Sequence, residues 1–338
     1  MKVLLTGGAG YIGSHCAVAL IAAEHQVVCF DNLSNSRPQA IERVESITGT
    51  RIPLVVGDVR DREAVHRALT DHAIEAVVHF AGLKAVGESA EKPMLYYDNN
   101  VRGTLALVEA MAECGVRRLV FSSSATVYGQ PQYLPLDEAH PTSATNPYGR
   151  TKLMIEEMLG DIAAADPGWR IGVLRYFNPV GAHDSALIGE DPNGVPNNLM
   201  PFISRVAAGR LPELSVFGDD YDTADGTGVR DYVHIVDLAE GHVAALAALT
   251  TIDRPLSIWN LGTGQGYSVL DMIRSFERVN AVSIPYRIAP RRAGDVATCY
   301  ASPAKARDEL GWQASRGLDA MCASAWRFER MLATRNSG

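Results

Sequence analysis

The chain of 338 residues is long enough for about two domains, taking roughly 150 residues as a soft unit, and its 47% hydrophobic content suits a globular protein with a sizeable core. A formal net charge of −8 argues against nucleic acid or an anionic membrane as partners, since both require clustered basic residues. The five cysteines are scattered without C-x-x-C spacing, no apolar run reaches membrane-span length and the N-terminus has no signal-peptide core, so a cytoplasmic protein without disulfides or structural zinc is expected.

Residues 2–6 form a short β-leaning run, followed by Gly7-Gly8-Ala9-Gly10-Tyr11-Ile12-Gly13 and a stretch of helical composition over 14–23. Strand, glycine turn and helix in that order are the setting in which a G-x-G-x-x-G motif cradles a pyrophosphate. The glycines let the backbone approach it, and the helix N-terminus offers unpaired N–H groups. A second strand over 26–30 ends at Asp31, eighteen residues beyond Gly13. A carboxylate there accepts hydrogen bonds from both hydroxyls of an adenosine ribose and repels a 2′-phosphate, which favours NAD over NADP. The polar loop 32–38 is placed to close over the same ribose.

The pattern then repeats: a strand over 52–56 ending at Gly57-Asp58, a helix over 62–69, a strand over 76–80 ending in Ala81-Gly82-Leu83-Lys84, a helix over 94–114 and a strand over 118–121 ending in Ser122-Ser123-Ser124-Ala125-Thr126. Alternation without hairpin signals predicts an α/β fold, a Rossmann-type doubly wound parallel sheet with ligand groups at the carboxyl ends of its strands. Asp31, Asp58, Phe80, Lys84 and Ser124 all fall at such ends.

Pro147 opens the next helix, in which Tyr148 and Lys152 lie four residues apart and so share a face, with Leu153, Ile155, Met158 and Leu159 as a buried stripe. Such a pair alone is most often a surface lysine beside a half-buried tyrosine; its weight depends on the site around it. A strand over 171–176 ends in Phe177-Asn178-Pro179, and 181–232 is rich in glycine, proline, aspartate and asparagine, suggesting irregular site-lining loops rather than regular sheet. Helix over 233–249, strand over 258–261 and helix over 269–276 follow. The expected organisation is an NAD-binding domain over 1–180 and a smaller, loop-rich α/β substrate domain over 181–338, with segments crossing back.

Taken together, residues 6–15, 31–36, 79–88, 96–101, 122–129, 148–152, 174–183 and 196–201 resemble the extended short-chain dehydrogenase/reductase family, and within it the 4-epimerases of UDP-hexoses. Residues 226–234, 260–262 and 289–295 extend the likeness toward the C-terminus. The resemblance implies an isomerase that interconverts UDP-glucose and UDP-galactose through a 4-keto intermediate, with NAD tightly bound and not consumed. Its implied catalytic set is Ser124, Tyr148 and Lys152. A base must take the proton from a sugar hydroxyl as hydride leaves the same carbon. Ionising a tyrosine near neutral pH asks for a shift of about three units, roughly 4 kcal/mol. An ammonium about 5 Å away at an effective dielectric of about 20 supplies roughly 3 kcal/mol, so Lys152 is expected to lower the Tyr148 phenol most of the way.

For NAD the resemblance implies Gly7, Gly10, Tyr11, Ile12 and Gly13, the loop Asp31, Asn32, Leu33, Ser34, Asn35 and Ser36, then Asp58 and Val59. It continues with Phe80, Ala81, Gly82, Leu83 and Lys84, with Asn99, Phe177 and the catalytic set. Lys152 is matched to the lysine that holds the nicotinamide ribose, and Lys84 to a phosphate contact. For the nucleotide-sugar it implies Asn178, Asn198, Leu199, the strand Ser215, Val216 and Phe217, then Arg230, Arg292 and Asp295, beside Lys84, Ser124 and Tyr148. The arginine fork matches diphosphate oxygens. Cys299 falls where many bacterial relatives have a bulky tyrosine, and the smaller side chain leaves room for a 2-acetamido group. Interconversion of UDP-N-acetylglucosamine and UDP-N-acetylgalactosamine is therefore expected as well. The family likeness also implies a homodimer built on the 94–114 and Tyr148 helices.

Relatives that dehydrate or decarboxylate nucleotide-sugars place a carboxylate just after the triad serine, and here those positions are Ala125 and Thr126. A dehydrogenase that releases NADH and a catalytically silent NAD-binding regulator remain as alternatives. No H-E-x-x-H or G-x-S-x-G pattern supports a metal or serine hydrolase, and no metal is expected.

Overall fold

The structure is a computed structural model and describes residues 1–192, 196, 198–292 and 294–336; Asn197 and Ala293, inside two of the resembling stretches, lie outside the described residues. The strands run in chain order β1 (Lys2–Thr6), β2 (Gln26–Asp31), β3 (Leu54–Val56), β4 (Ala76–His79), β5 (Arg118–Ser124), β6 (Arg170–Tyr176), β7 (Asn178–Val180), β8 (Leu214–Phe217), β9 (Val229–His234), β10 (Leu256–Leu261), β11 (Gly266–Ser268), β12 (Tyr286–Ala289) and β13 (Thr298–Cys299).

Seven of them form one wholly parallel sheet in the order β10-β6-β5-β4-β1-β2-β3. Side chains alternate between its faces, and both faces are covered. Val3 and Leu5 join a core under the helices Tyr11–Ala22, Gln39–Thr48 and Ile235–Ala248, while Leu4 joins a second core under Arg62–Asp71, Gly103–Glu113 and Pro147–Ala165. Burial on both sides is why these strands are continuous apolar runs rather than alternating ones. The strand order reverses between β1 and β4, which opens a crevice at their carboxyl ends. Residues beyond 180 complete this sheet, since β10 pairs with β6 from Leu256–Ile171 through Leu261–Tyr176.

The rest of the chain packs a smaller layer beside it. β9 pairs with β7, β11 and β13, and β8 pairs with β12. Ile203, Val216, Tyr232, Phe276 and Met321 fill a core between these strands and the helices Leu199–Ala207, Val269–Asn280 and Leu318–Asn336. Among the described residues no helix is long and apolar enough to cross a membrane.

Several expected boundaries move. The first helix starts at Tyr11 instead of 14, so Gly13 lies within its first turn. The helix expected over 94–114 divides into Pro93–Tyr96, a π-helical turn Tyr97–Arg102 and Gly103–Glu113. Asn100 explains the insertion physically: its side chain accepts from Leu83 N at 2.8 Å and donates to Leu83 O and Thr151 Oγ1, both at 3.0 Å. The extra backbone residue turns that amide inward, as single π turns do at functional sites. The stretch 181–232 is not wholly irregular, because it holds a nine-residue helix, β8 and most of β9. Val233 and His234 end β9, and the following helix begins at Ile235, capped by His234 accepting from Val236 N.

Candidate active site

A cleft of about 520 Å³ follows the carboxyl ends of the central strands from Asp31 past the glycine turn to Tyr148 and Lys152. Gly7 has φ +69°, and a Cβ there would stand 2.8 Å from Ala81 N; a Cβ at Gly13 would stand 2.5 Å from Gly7 O. Backbone therefore forms this wall, and the Tyr11–Ala22 helix N-terminus faces it. Gly10, Tyr11, Ile12, Val59, Asn99 and the run Phe80 to Lys84 also line the cleft, with Asn32, Ser34, Asn35 and Ser36 at its far end.

Asp31 is nearly buried, and the fold positions both of its carboxylate oxygens. Oδ2 accepts from Ala9 N at 3.0 Å, and Oδ1 accepts from Leu33 N and Ser36 Oγ, each at 2.8 Å. Four of the residues expected at NAD, Leu33, Asp58, Ser124 and Phe177, are not among the lining residues. Leu33 acts on Asp31 through its backbone. Asp58 accepts from Arg60 Nε at 2.9 Å and from Asn32 at 3.1 Å, and the guanidinium holds its carboxyl well below the usual range. Phe177 is buried against Val127, Tyr128, Leu136 and Ala301.

The Tyr148 helix is started by Asn146, which accepts from Gly149 N at 2.8 Å, with Pro147 in the first turn. Lys152 is buried; its Nζ donates to Ser122 O at 2.7 Å and lies 4.8 Å from the Phe121 ring centre. Burial pulls its ammonium down to about 8, and the carboxylate of Glu156, one turn further on, pushes the other way. Glu156 is itself paired with Arg175 at 2.5 Å, both at 5% exposure or less.

The Tyr148 phenol does not show the lowering expected from Lys152. Burial raises the phenol above its ordinary value, and only a hydrogen bond with Ser124 offsets part of that rise. The ammonium is instead directed at the Ser122 carbonyl. Ser124, at the end of β5, accepts from Thr126 N at 3.2 Å and from Thr126 Oγ1 at 3.0 Å, so Thr126 orients the hydroxyl rather than supplying a carboxylate.

Apart from Lys84, Ser124 and Tyr148, the residues expected at the nucleotide-sugar lie on the smaller layer, outside the cleft lining. The sheet around β9 brings Asn178, Arg230 and Cys299 near one another, with Cys299 paired in register to Arg230. Asn198 and Leu199 begin a helix, while Ser215 and Phe217 sit on β8. Val216 is buried in the core at 1% exposure. Arg292 lies 4.8 Å over the Phe217 ring and donates to Asp295 at 3.1 Å. The Cys299 thiol, packed against the cluster of Val127, Tyr128, Leu136, Phe177 and Ala301, is pushed up to about 11 by burial and so stays neutral.

The two groups meet at Glu190, which accepts from Lys84 Nζ at 3.2 Å and from Asn198 Nδ2 at 2.5 Å. No motif marks Glu190; its one signal in the sequence is a carboxylate in the loop-rich stretch between the likenesses at 174–183 and 196–201. Among the described residues no cluster of His, Cys, Asp or Glu could hold a metal ion.

Residues 4–325 match the family model described as GDP-mannose 4,6 dehydratase. The chain is 57% identical over 329 residues to UDP-glucose 4-epimerase of Bacillus subtilis (strain 168), covering 97% of each. It is also similar to the crystal structure of UDP-glucose-4-epimerase from Stenotrophomonas maltophila with bound NAD and formylated UDP-arabinopyranose, with 52% identity, 99% of each chain covered and a TM-score of 0.97. UDP-glucose 4-epimerase from Bifidobacterium longum in complex with NAD+ and UDP is 52% identical, with 98% of each chain covered and a TM-score of 0.95. Identity of this extent along nearly the full chain, on the same fold, means that the chain belongs to the UDP-glucose 4-epimerase family of extended short-chain dehydrogenases/reductases.

Proposed function

We infer that this protein is an isomerase that inverts C4 of UDP-glucose and UDP-galactose through a 4-keto sugar, with NAD retained and no net redox change. The observation that carries this reading is the placement of Tyr148 and Lys152 at one end of a glycine-walled cleft whose other end is Asp31, with a Thr126-oriented Ser124 hydrogen-bonded to Tyr148 behind the lining. NAD fits that cleft. A Cβ would fill the turn at Gly7 or Gly13, and the held carboxylate of Asp31 suits an unphosphorylated ribose. Gly10, Tyr11, Ile12, the Asn32 to Ser36 loop, Val59, the Phe80 to Lys84 run and Asn99 would hold it along the wall, with Asp58 and Phe177 supporting from behind. When bound, NAD supplies a reversible two-electron acceptor and a positively charged ring.

Tyr148 takes the proton of the C4 hydroxyl and later returns one to the same oxygen. Ser124 donates a hydrogen bond to that oxygen and passes the proton, its lone pairs already engaged by Thr126. Lys152 places a cation beneath the site and stabilises the phenolate; an effective separation of about 5 Å corresponds to roughly 3 kcal/mol. Because burial raises the resting phenol, that help is needed only as the proton leaves. Arg230 and Arg292 suit the diphosphate, and Asn178, Asn198, Leu199, Asp295 and the Ser215 to Phe217 strand suit the rest of the nucleotide.

Four finer readings accompany this. Cys299, small and neutral, leaves room for a 2-acetamido group, so UDP-N-acetylglucosamine and UDP-N-acetylgalactosamine are also interconverted. Activity on acetamido sugars that survives Cys299→Tyr would reject it. A homodimer follows from the exposed Met94, Leu95, Leu105 and Met154 on the helices named for it, and the free thiols suit a cytoplasmic setting. Residues 1–180 act as the NAD-binding domain and 181–338 as the UDP-sugar domain, apart from the returning β10 and its helix.

The test is incubation with UDP-galactose, and separately UDP-N-acetylgalactosamine, without added NAD, followed by assay of the C4 epimers. Turnover is expected for both. Stoichiometric release of free NADH would establish a dehydrogenase instead.

A further inference from the structure

We propose that Glu190 is a positioning residue that couples occupancy of the dinucleotide cleft to binding of the nucleoside diphosphate; this rests on the reading above. One oxygen, Oε1, accepts from Lys84 on the cleft wall and from Asn198 at the start of the Leu199–Ala207 helix. The Glu190 side chain is 10% exposed, whereas Lys84 is 43% exposed. An exposed ion pair would carry little weight, but a nearly buried carboxylate shared by a cation and an amide is costly to leave unpaired.

Its placement is rigid. Ala182 bridges to Gly189, and His183 N donates to Ile188 O at 3.2 Å. A Cβ at Gly189 would stand 2.5 Å from the Phe328 ring, so the strap is seated on the C-terminal helix. Tyr11 OH donates to Gly181 O at 2.7 Å, tying the other end of the strap to the glycine-turn helix.

The coupling follows from competition for the lysine. A phosphate is a stronger partner for Lys84 than a carboxylate already shared with an amide. As Lys84 turns to a phosphate, Glu190 is left to Asn198 and strengthens that bond. With Nδ2 held by a carboxylate, which can only accept, Asn198 presents its carbonyl oxygen to donors on the sugar-nucleotide. Occupancy of one site thus orders the other, and the effect must be reciprocal.

The holoenzyme provides the test, with UDP as the probe. Calorimetry reads UDP affinity, and fluorescence reads the rate of NAD release with and without saturating UDP. In the unsubstituted protein UDP is expected to slow NAD release about fivefold or more, the lower end of typical coupling. Glu190→Ala should weaken UDP about tenfold, as for loss of one charge-assisted hydrogen bond, and abolish the slowing. Glu190→Gln keeps an acceptor for Asn198 but no charge for Lys84, so it should hold UDP within about threefold yet lose the slowing. Absence of slowing in the unsubstituted protein, or slowing that persists in Glu190→Gln, would overturn the proposal. If the unsubstituted protein binds no UDP at all, the functional reading itself fails.

Discussion

Lys152 holds a charge at a site that opposes it, and the consequence is a stability effect of definite sign. Its folded value of about 8 lies below the ordinary 10.5 because of burial. Between those values the unfolded chain binds more protons than the folded one, so stability rises with pH across that window and the burden is complete below about 8. Its size is on the order of 3 kcal/mol. Lys152→Met is therefore expected to be inactive yet more stable than the unsubstituted protein at pH 7 by about 1–3 kcal/mol in urea unfolding, with the gain shrinking toward pH 10. A variant less stable at pH 7 would show that the bond to Ser122 O outweighs the buried charge. Tyr148 acts in the same direction on catalysis. Its phenol is raised by burial, so kcat/KM should climb with pH through neutrality, and Tyr148→Phe should lower kcat by about 10²–10⁴ and flatten that climb.

The π turn Tyr97–Arg102 is the element that joins the cleft wall to the Tyr148 helix, because Asn100 binds Leu83 on one side and Thr151 on the other. Asn100→Ala leaves the backbone N–H and carbonyl of Leu83 without these partners and should destabilise the fold by about 2–3 kcal/mol, measured by denaturant midpoint. An unchanged midpoint would mean that water replaces the amide. Such an element is not readable from periodicity, since its apolar positions continue the helical stripe on both sides. The central strands were readable for the opposite reason: β1, β2 and β5 are apolar runs that give way to glycine, aspartate or serine, and burial on both faces leaves no competing pattern. The helix Leu199–Ala207 and the strand β9 were hidden by the glycine-, proline- and aspartate-rich turns around them, and β8 was expected only through the family resemblance. Of the site, the glycine turn, Asp31 and the Tyr148–Lys152 spacing stood in the sequence. The raised phenol and the Glu190 bridge depend on burial and on contacts between residues 106 apart, which spacing cannot convey.

Closure of the central sheet depends on the late return of β10, and this sets the order in which the chain can mature. Until residue 261 is available, β6 has an unpaired edge, and Trp259, fully buried against that layer in the finished protein, is missing from it. A fragment of residues 1–180 therefore ends on an exposed strand edge with an apolar face that lacks the Ile235–Ala248 helix. It should aggregate where the full chain stays monodisperse by light scattering; a stable, monodisperse fragment would contradict this. During synthesis at about 5–20 residues per second, β6 waits on the order of 4–17 seconds for its neighbour, an interval in which chaperone capture competes with folding. The dinucleotide cleft is thus encoded early in the chain but cannot be built on a finished sheet until most of the polypeptide has been made.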